Sequence, residues 1–430
     1  MPRRLLLSFL PALALLAHAP VARAETPPAC RAVDRGNVVA CALKGSALLR
    51  VERENQAAAE GRRTSAAPWF PAQPTLSLSA GRRVSSGSGG GDAVNWYGTL
   101  SQEVAISGER ASRRRAAEAD VAARGHEAKG TSRRVAAEAH AALYDVLAAR
   151  DAVSVARLLE TTAVSIRRVT RARADSGVGS PLDAEVAEAA SLGIVQSRIA
   201  AERTAATATA RLATLLGLDP IAEAPTASGE LEPLPEGDAL ADAATTRSAA
   251  GRPEVQALLA DERAAALRAE AFRRARVPSL TLQVFAQNDG FNERVLGGGV
   301  QLPIPLPEPV GRRFAGEIAE AEALGRANAA RAEVVARELA NDLATAAVDY
   351  RARRAELALY SRERVARAEQ LLGEIGREIE AGRLPVRDAL VAQQQLIEVL
   401  RGFVEARRAL CLASVELALA GGAPLERTTR

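Results

Sequence analysis

One structural unit occurs twice in this chain, and this duplication restricts the possible folds more than any other feature. The segment PTLSLSAGRR begins at Pro74, and the similar segment PSLTLQVFAQ begins at Pro278. A second extended piece follows each of them, and then a long polar, alanine-rich run that is interrupted at Gly177 or Gly382. The order strand, strand, helix, helix therefore occurs twice, which predicts one pseudo-symmetric body rather than independent domains in series.

The composition favours helices and argues against nucleic acid as a partner. Hydrophobic residues make up 48% of the chain but aromatic residues only 3%, which suits long helices packed through small side chains. The 56 basic and 52 acidic residues are interleaved and give a net charge of +4. The densest basic cluster, Arg113 to Arg115, lies beside Glu118 and Asp120 and is not interleaved with aromatic residues.

Two β-hairpins are predicted, at about 74–106 and about 278–307. Apolar and polar residues alternate in them, as in Leu76 and Leu78 with Ser77 and Ser79. In the second hairpin the apolar positions are Leu280, Leu282, Val284, Val300, Leu302, Ile304 and Leu306. Four strands of about ten residues with one apolar face match membrane-spanning β-strands, although a half-buried hairpin of a soluble domain has the same pattern.

Two long helical hairpins are predicted, at about 108–216 and about 312–420. No proline occurs from Gly108 to Ala174, so one helix of roughly 100 Å is expected there. In the second copy, one continuous helix is likewise expected from Arg312 to Ile379. Apolar residues recur every seven positions in the returning helices, which indicates coiled-coil packing with hairpin tips at Gly177 and Gly382. These positions are Leu192, Ile199, Ala206 and Ala213 in the first copy and Leu390, Ile397, Val404 and Cys411 in the second.

The N-terminus predicts export. Arg3 and Arg4 precede an apolar run, and Ala22 and Ala24 suit signal peptidase, so residues 1–24 are predicted to be a signal peptide. A helix is expected from Gly36 to about Arg63. The predicted division of the mature chain is a first repeat over 25–220, a proline-rich linker or equatorial segment over 221–252, a second repeat over 253–424 and a tail over 425–430.

The cysteines and histidines give no sign of catalysis. Cys30 and Cys41 could form a disulfide in an oxidising compartment, and attachment of a lipid to Cys30 is the alternative. Cys411 falls in a helical register and is expected to be buried. His126 and His140 stand alone in long helices, so neither an enzyme, a cofactor site nor a metal site is expected.

Four strands are too few to close a membrane barrel, and open sheet edges in lipid leave backbone groups without hydrogen bonds. The chain is therefore expected to oligomerise. Two copies would give a barrel nearly filled by side chains, whereas three copies would give twelve strands and a usable lumen. The predicted fold class is mostly α with a β-barrel contribution, in which the helices form a hollow extension of the barrel.

Three segments are characteristic of a known family: RPEVQALLADERAAALRAEAFRRARVPSLTL, GGGVQLPIPLPEPVGRRFAGEIAEAEA and EAGRLPVRDALVAQQQLIEVLRGFVEARRA. Through these segments the chain resembles the TolC family of outer-membrane efflux channels, and within it the cobalt-zinc-cadmium-type subgroup. The resemblance implies a homotrimer with four strands per protomer in a trimeric 12-stranded barrel and an α-helical periplasmic tunnel. It also implies location in the bacterial outer membrane, contact with outer-membrane lipid, and docking to a periplasmic adaptor (membrane fusion) protein coupled to an inner-membrane RND-type pump. The implied function is passive export, with heavy-metal cations as one cargo and multidrug efflux or type I secretion as alternatives.

The resemblance also implies roles for residues near the tips. An aspartate six residues after the tip glycine lines the tunnel entrance in the family, and Asp388 after Gly382 and Asp183 after Gly177 occupy that position. Three protomers would turn each aspartate into a ring of carboxylates that favours cations. A carboxylate that only stabilises the N-terminus of its helix would have the same position.

Two further family positions differ here: the gating tyrosine is Ile379, and a second aspartate is Val391. A periplasmic adaptor and a structural coiled-coil protein are the competing interpretations. An adaptor has one central hairpin rather than two, and a coiled-coil protein does not need amphipathic strands or an aromatic cluster. The aromatic cluster of this chain comprises Trp69, Phe70, Trp96 and Tyr97.

Overall fold

A computed structural model describes residues 30–83, 93–245, 248–288, 293–306, 310 and 313–425. The predicted signal peptide 1–24 and residues 426–430 of the predicted tail lie outside these ranges. The helices are α1 (Val38–Gly45), α2 (Ala47–Ser65), α3 (Glu109–Asp175), α4 (Pro181–Leu215), α5 (Gly237–Asp242), α6 (Pro253–Ala275), α7 (Ala315–Ala358), α8 (Arg362–Glu380) and α9 (Val386–Ala420). The strands are β1 (Ala32–Val33), β2 (Thr75–Arg83), β3 (Ala93–Val104), β4 (Thr226–Ala227), β5 (Leu280–Asn288) and β6 (Arg294–Gln301). The predicted fold class, mostly α with a smaller β part, is confirmed.

The first helical hairpin consists of α3 and α4. Helix α3 is a single helix of 67 residues, which corresponds to roughly 100 Å. It ends at Asp175, two residues before Gly177, whose φ of 73° is a left-handed conformation that favours glycine. Helix α4 then begins at Pro181, and the Ser180 hydroxyl accepts a hydrogen bond from the Leu182 amide.

The second hairpin is not a copy of the first. The prediction of one helix from Arg312 to Ile379 is wrong, because α7 ends at Ala358 and α8 begins at Arg362. Ser361 has extended backbone angles, and its hydroxyl accepts a hydrogen bond from the Arg364 amide at 3.2 Å. The Tyr360 ring packs near Phe403 of α9, with 6.3 Å between ring centroids. The interruption is therefore stabilised by a helix cap and by an aromatic contact with the returning helix.

The predicted helix from Gly36 to Arg63 is also divided. Helix α1 ends at Gly45, and Ser46 caps the start of α2 by accepting a hydrogen bond from the Leu49 amide. Gly45 lies so close to the Leu216 carbonyl that a side chain at position 45 would overlap it. This close approach of two chain segments fixes the position of the break.

The four long strands form one antiparallel sheet in the order β2, β3, β5, β6. Leu76 pairs with Leu100, and Leu100 pairs with Val284 of the second repeat, so the two hairpins lie side by side. The second hairpin is shorter than predicted, because β6 ends at Gln301 and residues 302–306 have no regular structure. Pro303 and Pro305 lack the backbone N–H that a ladder needs, which explains this early end.

Two clusters of buried residues hold the helices together. One surrounds Leu143 and Tyr144 in the middle of α3 and includes parts of α1, α4, α7 and α9. The other joins Ile166 of α3 to Leu372 and Ile379 of α8 near the hairpin tips. No helix within the described ranges has an apolar stretch that could cross a bilayer.

The predicted seven-residue seam has different surroundings in the two copies. Ile397 is only 8% exposed and Cys411 is buried, so in α9 the seam packs against the chain's own helices. In α4 the corresponding Leu192 and Ile199 are 58% and 54% exposed. The same spacing is therefore an internal seam in one copy and a surface stripe in the other.

A segment between the repeats, residues 226–242, crosses the outside of the helices and is called the belt. It begins as β4, which pairs in parallel with β1 near the N-terminus. The Leu231 carbonyl accepts from the Arg407 guanidinium at 2.8 Å, and the Leu234 amide donates to the Ser414 hydroxyl at 3.0 Å. These bonds fasten the belt across α9.

The N-terminal segment is held to the same region by Cys30 and Cys41, which the structure joins in a disulfide with their Cα atoms 5.5 Å apart. Both cysteines are buried in the cluster around Leu143. Cys30 lies two residues before β1, and Cys41 lies in α1. The disulfide therefore holds β1, the strand that pairs with the belt, against α1.

Candidate functional site

The four-stranded sheet separates apolar from polar side chains. Directly paired residues of an antiparallel sheet lie on the same face, so pairing and alternation define two faces. On one, the apolar sheet face, the exposed large side chains are Leu76, Leu78, Val94, Trp96, Leu100, Leu282, Val284, Leu296 and Val300. The other, the polar sheet face, includes Ser77, Ser79, Ser101, Thr281 and Gln283. So large an exposed apolar surface needs a non-aqueous environment or a protein partner to cover it.

The sheet is open at both sides. Strands β2 and β6 are the ends of the strand order, and within the described ranges each pairs with one neighbour only. Their outward N–H and C=O groups can accept a further strand. A sheet with one apolar face can enter lipid only if these edges are closed, since lipid offers no hydrogen bonds to the backbone.

The opposite end of the molecule consists of the two hairpin tips. Asp183 lies in the first turn of α4 and Asp388 in the first turn of α9, at equivalent places after Gly177 and Gly382. The two glycines have φ values of 73° and 71°. The internal duplication thus extends to the tip conformation, and each tip presents one aspartate at a helix N-terminus, where negative charge is favourable.

Arg173 connects the two tips. Its Nη1 atom donates to the Ile379 carbonyl in the last turn of α8, at 2.8 Å. A Cβ atom on Gly382 would lie 3.6 Å from the same nitrogen, so the second tip passes close to the guanidinium. A cation at the C-terminus of a helix is favourable, because it meets carbonyl groups that have no partner within the helix.

Ile379, where the sequence resemblance predicts a gating position, does not face an open space. Its side chain is buried against Leu372 and Ile375 in the cluster near the tips. The polar link at this level is made by its backbone carbonyl and not by its side chain.

The two tips differ in charge at one equivalent position. Arg173 and Glu378 occupy equivalent positions at the ends of α3 and α8. The Arg173 carbonyl accepts a hydrogen bond from the Val178 amide, and the Glu378 carbonyl accepts one from the Arg383 amide. The Glu378 carboxylate binds the Arg383 guanidinium through two hydrogen bonds, at 2.6 and 2.7 Å. Arg383 lowers the pKa of Glu378, which therefore stays ionised. In the first tip, the arginine at this position, Arg173, thus donates a hydrogen bond to the second tip. In the second tip, the equivalent residue, Glu378, instead pairs with Arg383 of the same tip.

Histidine and cysteine take no part in the sheet or the tips. His140 is buried, and its Nε2 atom lies 3.2 Å from the Leu425 carbonyl. Burial raises the pKa of the Cys411 thiol to about 12, so this group is a small apolar residue in practice. Over the described ranges, no three His, Cys, Asp or Glu side chains are grouped so that they could hold a metal ion.

Sequence reasoning singled out Asp183, Asp388 and the tip glycines, whose roles stay predictions, and it did not consider Arg173. The position of Arg173 near the end of α3 was visible in the sequence, because Gly177 follows it by four residues. Its partner was not visible, since the contact depends on how closely the two hairpins approach each other.

Comparison with known proteins finds one matching family model. Residues 41–218 match the model of a family described as outer membrane efflux protein. A comparison with curated protein sequences finds no significant match.

Several solved structures resemble the whole chain. The outer-membrane channel OprN is 20% identical, with a TM-score of 0.70 over 91% of each chain. CusC is 15% identical, with a TM-score of 0.73 over 92% of this chain and 94% of CusC. The outer membrane protein VceC of Vibrio cholerae is 18% identical, with a TM-score of 0.72 over 91% of this chain and 96% of VceC. At these identities the likeness establishes a shared fold.

Proposed function

We propose that this chain, whose residues 41–218 match the model of the outer membrane efflux protein family, forms the outer-membrane channel of a tripartite efflux system. Three copies would place their sheets edge to edge as a 12-stranded barrel, and their helical hairpins would form a tunnel that extends into the periplasm. The channel would be a passive conduit and not an enzyme.

The open sheet is the observation that carries this proposal. It combines an exposed apolar face, a polar face and two unpaired edges, and a closed barrel in lipid satisfies all three. Eight strands would leave an interior filled by side chains, whereas twelve strands leave a lumen. Three copies of the sheet are therefore the smallest assembly that gives both closure and a passage.

The helical hairpins support the same assembly. Helix α3 has a length of roughly 100 Å, enough to extend far beyond a membrane about 40 Å thick. The exposed Leu192 and Ile199 of α4 lie at coiled-coil spacing without an internal partner, and a neighbouring protomer would cover them.

We extend the proposal to the tips and to the division of the chain. Rings of Asp183 and Asp388 would make the entrance selective for cations. The tips would dock to a periplasmic adaptor coupled to an RND-type pump. The repeats would comprise residues 25–220 and 253–424, with residues 221–252 as the equatorial segment that contains the belt.

Heavy-metal cations are the first cargo to test, because the chain resembles the cobalt-zinc-cadmium-type subgroup. A conduit does not need to coordinate its cargo, so selection of the metal would fall to the pump. Deletion of the gene should lower the cobalt, zinc and cadmium concentrations that stop growth. Unchanged metal tolerance together with increased sensitivity to organic antibiotics would favour multidrug efflux instead.

Oligomeric state and conductance test the function itself. We expect the purified protein to be a trimer in detergent and to conduct ions in planar bilayers. Replacement Asp388→Asn should shift the reversal potential toward lower cation preference, whereas Glu333→Gln, an exposed carboxylate on α7, should not. A monomer without conductance would refute the channel, and recovery in the soluble periplasmic fraction would favour an adaptor or a structural coiled coil.

A further inference from the structure

Every strand of the four-stranded sheet meets a helix at the same end of the sheet. The chain passes from α2 into β2, from β3 into α3, from α6 into β5 and from β6 into α7. The register confirms that these ends coincide, since Thr75 pairs with Ser101, and Val104 pairs with Leu280. Four helix ends therefore surround one end of the sheet.

These helix ends are strongly basic. Residues 62–66, 108–115, 270–276 and 313–319, which we call the arginine collar, together contain ten arginines and three glutamates. This excess of positive charge is larger than the net charge of +4 on the whole chain. The rest of the chain is therefore net negative. Four of its acidic residues lie just outside the collar and pair with collar arginines, namely Glu60, Glu118, Asp120 and Glu322.

Aromatic residues lie beside and within the collar. Trp69 is 79% exposed, and the Arg110 guanidinium lies over its ring at 4.3 Å. Phe272 and Phe314 stack with 5.9 Å between their centroids, at the ends of α6 and α7. Aromatic residues are typical of the level at which a membrane protein passes from hydrocarbon to headgroups.

Part of the collar is available to a ligand. Arg115 is exposed and forms no ion pair with any residue in the described ranges. Arg276 is exposed and uses its Nε atom to donate to the Arg313 carbonyl. Arg114 pairs with Glu118 one turn farther from the sheet, and its side chain is still 53% exposed.

Apolar residues also border the collar. The connection that follows β6 exposes Leu302, Ile304, Leu306 and Val310. The apolar surface of the sheet and of this connection thus adjoins a zone of aromatic and cationic residues. Acyl chains adjoin phosphate groups in the same way within one leaflet of a bilayer.

We propose that the arginine collar binds the phosphate groups of anionic phospholipids in the leaflet that faces the periplasm. The inference rests on the proposed function, because it needs the sheet to lie in a membrane. Guanidinium groups bind phosphate through paired hydrogen bonds, and a cluster of them at a membrane surface favours anionic lipid. The occupant is a membrane lipid because the collar directly borders the apolar surface.

The chain has two tryptophans, which allows a direct test. The variant Trp96→Phe leaves Trp69, at the collar, as the only tryptophan, which can be excited selectively near 295 nm. This protein is reconstituted into vesicles of phosphatidylcholine and phosphatidylglycerol in which one lipid or the other carries brominated chains that quench tryptophan. We expect phosphatidylglycerol to be enriched about fivefold around Trp69, and we expect salt to reduce this preference.

Three further variants, each in the Trp96→Phe background, test the collar. The triple variant Arg114→Gln, Arg115→Gln and Arg276→Gln should lower the enrichment of phosphatidylglycerol around Trp69 to about onefold, which means no preference. Replacement of the same three arginines by Lys should retain most of the enrichment. Arg171→Gln with Arg337→Gln and Arg377→Gln removes equal charge from exposed arginines outside the collar and should retain all of it. Equal quenching by the two lipids, or an unchanged preference in the collar variant, would overturn the proposal.

Vesicle flotation and conductance of the same samples separate the two proposals. Protein that inserts and conducts without preferring phosphatidylglycerol would overturn only the lipid site. Protein that fails to insert would overturn both.

Discussion

Gly217 shows how one residue determines the crossing of two chain segments. Its φ of 74° lies in the left-handed region. A Cβ atom on Gly217 would lie 2.8 Å from the Gly45 carbonyl oxygen, and Gly45 itself lies against the Leu216 carbonyl. The end of α4 and the end of α1 therefore cross with no space for a side chain on either glycine.

We expect Gly217→Ala to destabilise the protein by about 1–3 kcal/mol, because it adds backbone strain and a steric overlap. Thermal unfolding in detergent, followed by circular dichroism, would measure this. The control is Gly61→Ala in the interior of α2, where a Cβ atom would have no neighbour within 4 Å. That change should stabilise the protein by about 0.5–1 kcal/mol. Equal effects of the two changes would contradict the close crossing.

His140 makes the stability depend on pH. Burial lowers its pKa from the ordinary value of 6.5, and the nearby Arg35 guanidinium acts in the same direction, whereas the Leu425 carbonyl acts against them. The unfolded chain therefore takes up this proton at a higher pH than the folded protein does. The contribution of His140 to stability is fully present above pH 6.5 and is lost as the pH falls through the folded pKa.

Replacement His140→Gln should remove this dependence. We expect the melting temperature of the wild-type protein to fall between pH 7.5 and about pH 5 more steeply than that of the variant. Parallel curves for the two proteins would show that His140 does not contribute to the pH dependence.

The two returning helices show that one sequence pattern can have two structural roles. Ile397 is buried inside its own protomer, whereas Leu192 is exposed on α4. We expect Ile397→Glu to destabilise the protomer by several kcal/mol, since it buries an unpaired charge. Leu192→Glu should leave the protomer folded and prevent its association with neighbours. Circular dichroism and native mass spectrometry distinguish the two outcomes, and a normal trimer in Leu192→Glu would contradict an interface at α4.

Much of the fold was predictable because the helices and strands carry strong periodic patterns. The end of α3 just before Gly177 and the alternation around Leu78 could be read directly from local sequence. The early end of β6 was also readable, since Pro303 and Pro305 cannot continue a ladder. The breaks before Ser46 and at Ser361 were not, because each depends on a contact with a distant segment. Serine is common within and beside helices, so it signals a break only when its surroundings are known.

The candidate site was predictable to the same degree. Asp183 and Asp388 follow from their spacing to the tip glycines. The bond from Arg173 to the Ile379 carbonyl does not, since it joins residues of different repeats. The arginine collar also depends on the fold, because its four segments are far apart in sequence and meet only where the strands end.

At the scale of the molecule, the two faces of the sheet predict opposite effects for neighbouring residues. Leu78 lies on the apolar sheet face and is 75% exposed, and Ser79 lies on the polar sheet face. We expect Leu78→Arg to weaken membrane insertion by about 2–4 kcal/mol, because it places a charge toward lipid. Ser79→Arg should insert normally and alter conductance, because it would face the lumen. Recovery of both proteins in membranes and their single-channel conductance test this, and equal insertion would contradict the assignment of the faces.

The two unpaired edges, on β2 and β6, also restrict the order of events after export. A single chain that entered lipid would expose backbone N–H and C=O groups along both outer strands, at several kcal/mol for each group. A single chain that remained in water would expose the apolar sheet face. Neither solvent suits the isolated subunit, so we expect membrane entry and the association of subunits to occur together, and a subunit that has not yet met its partners would need protection from aggregation.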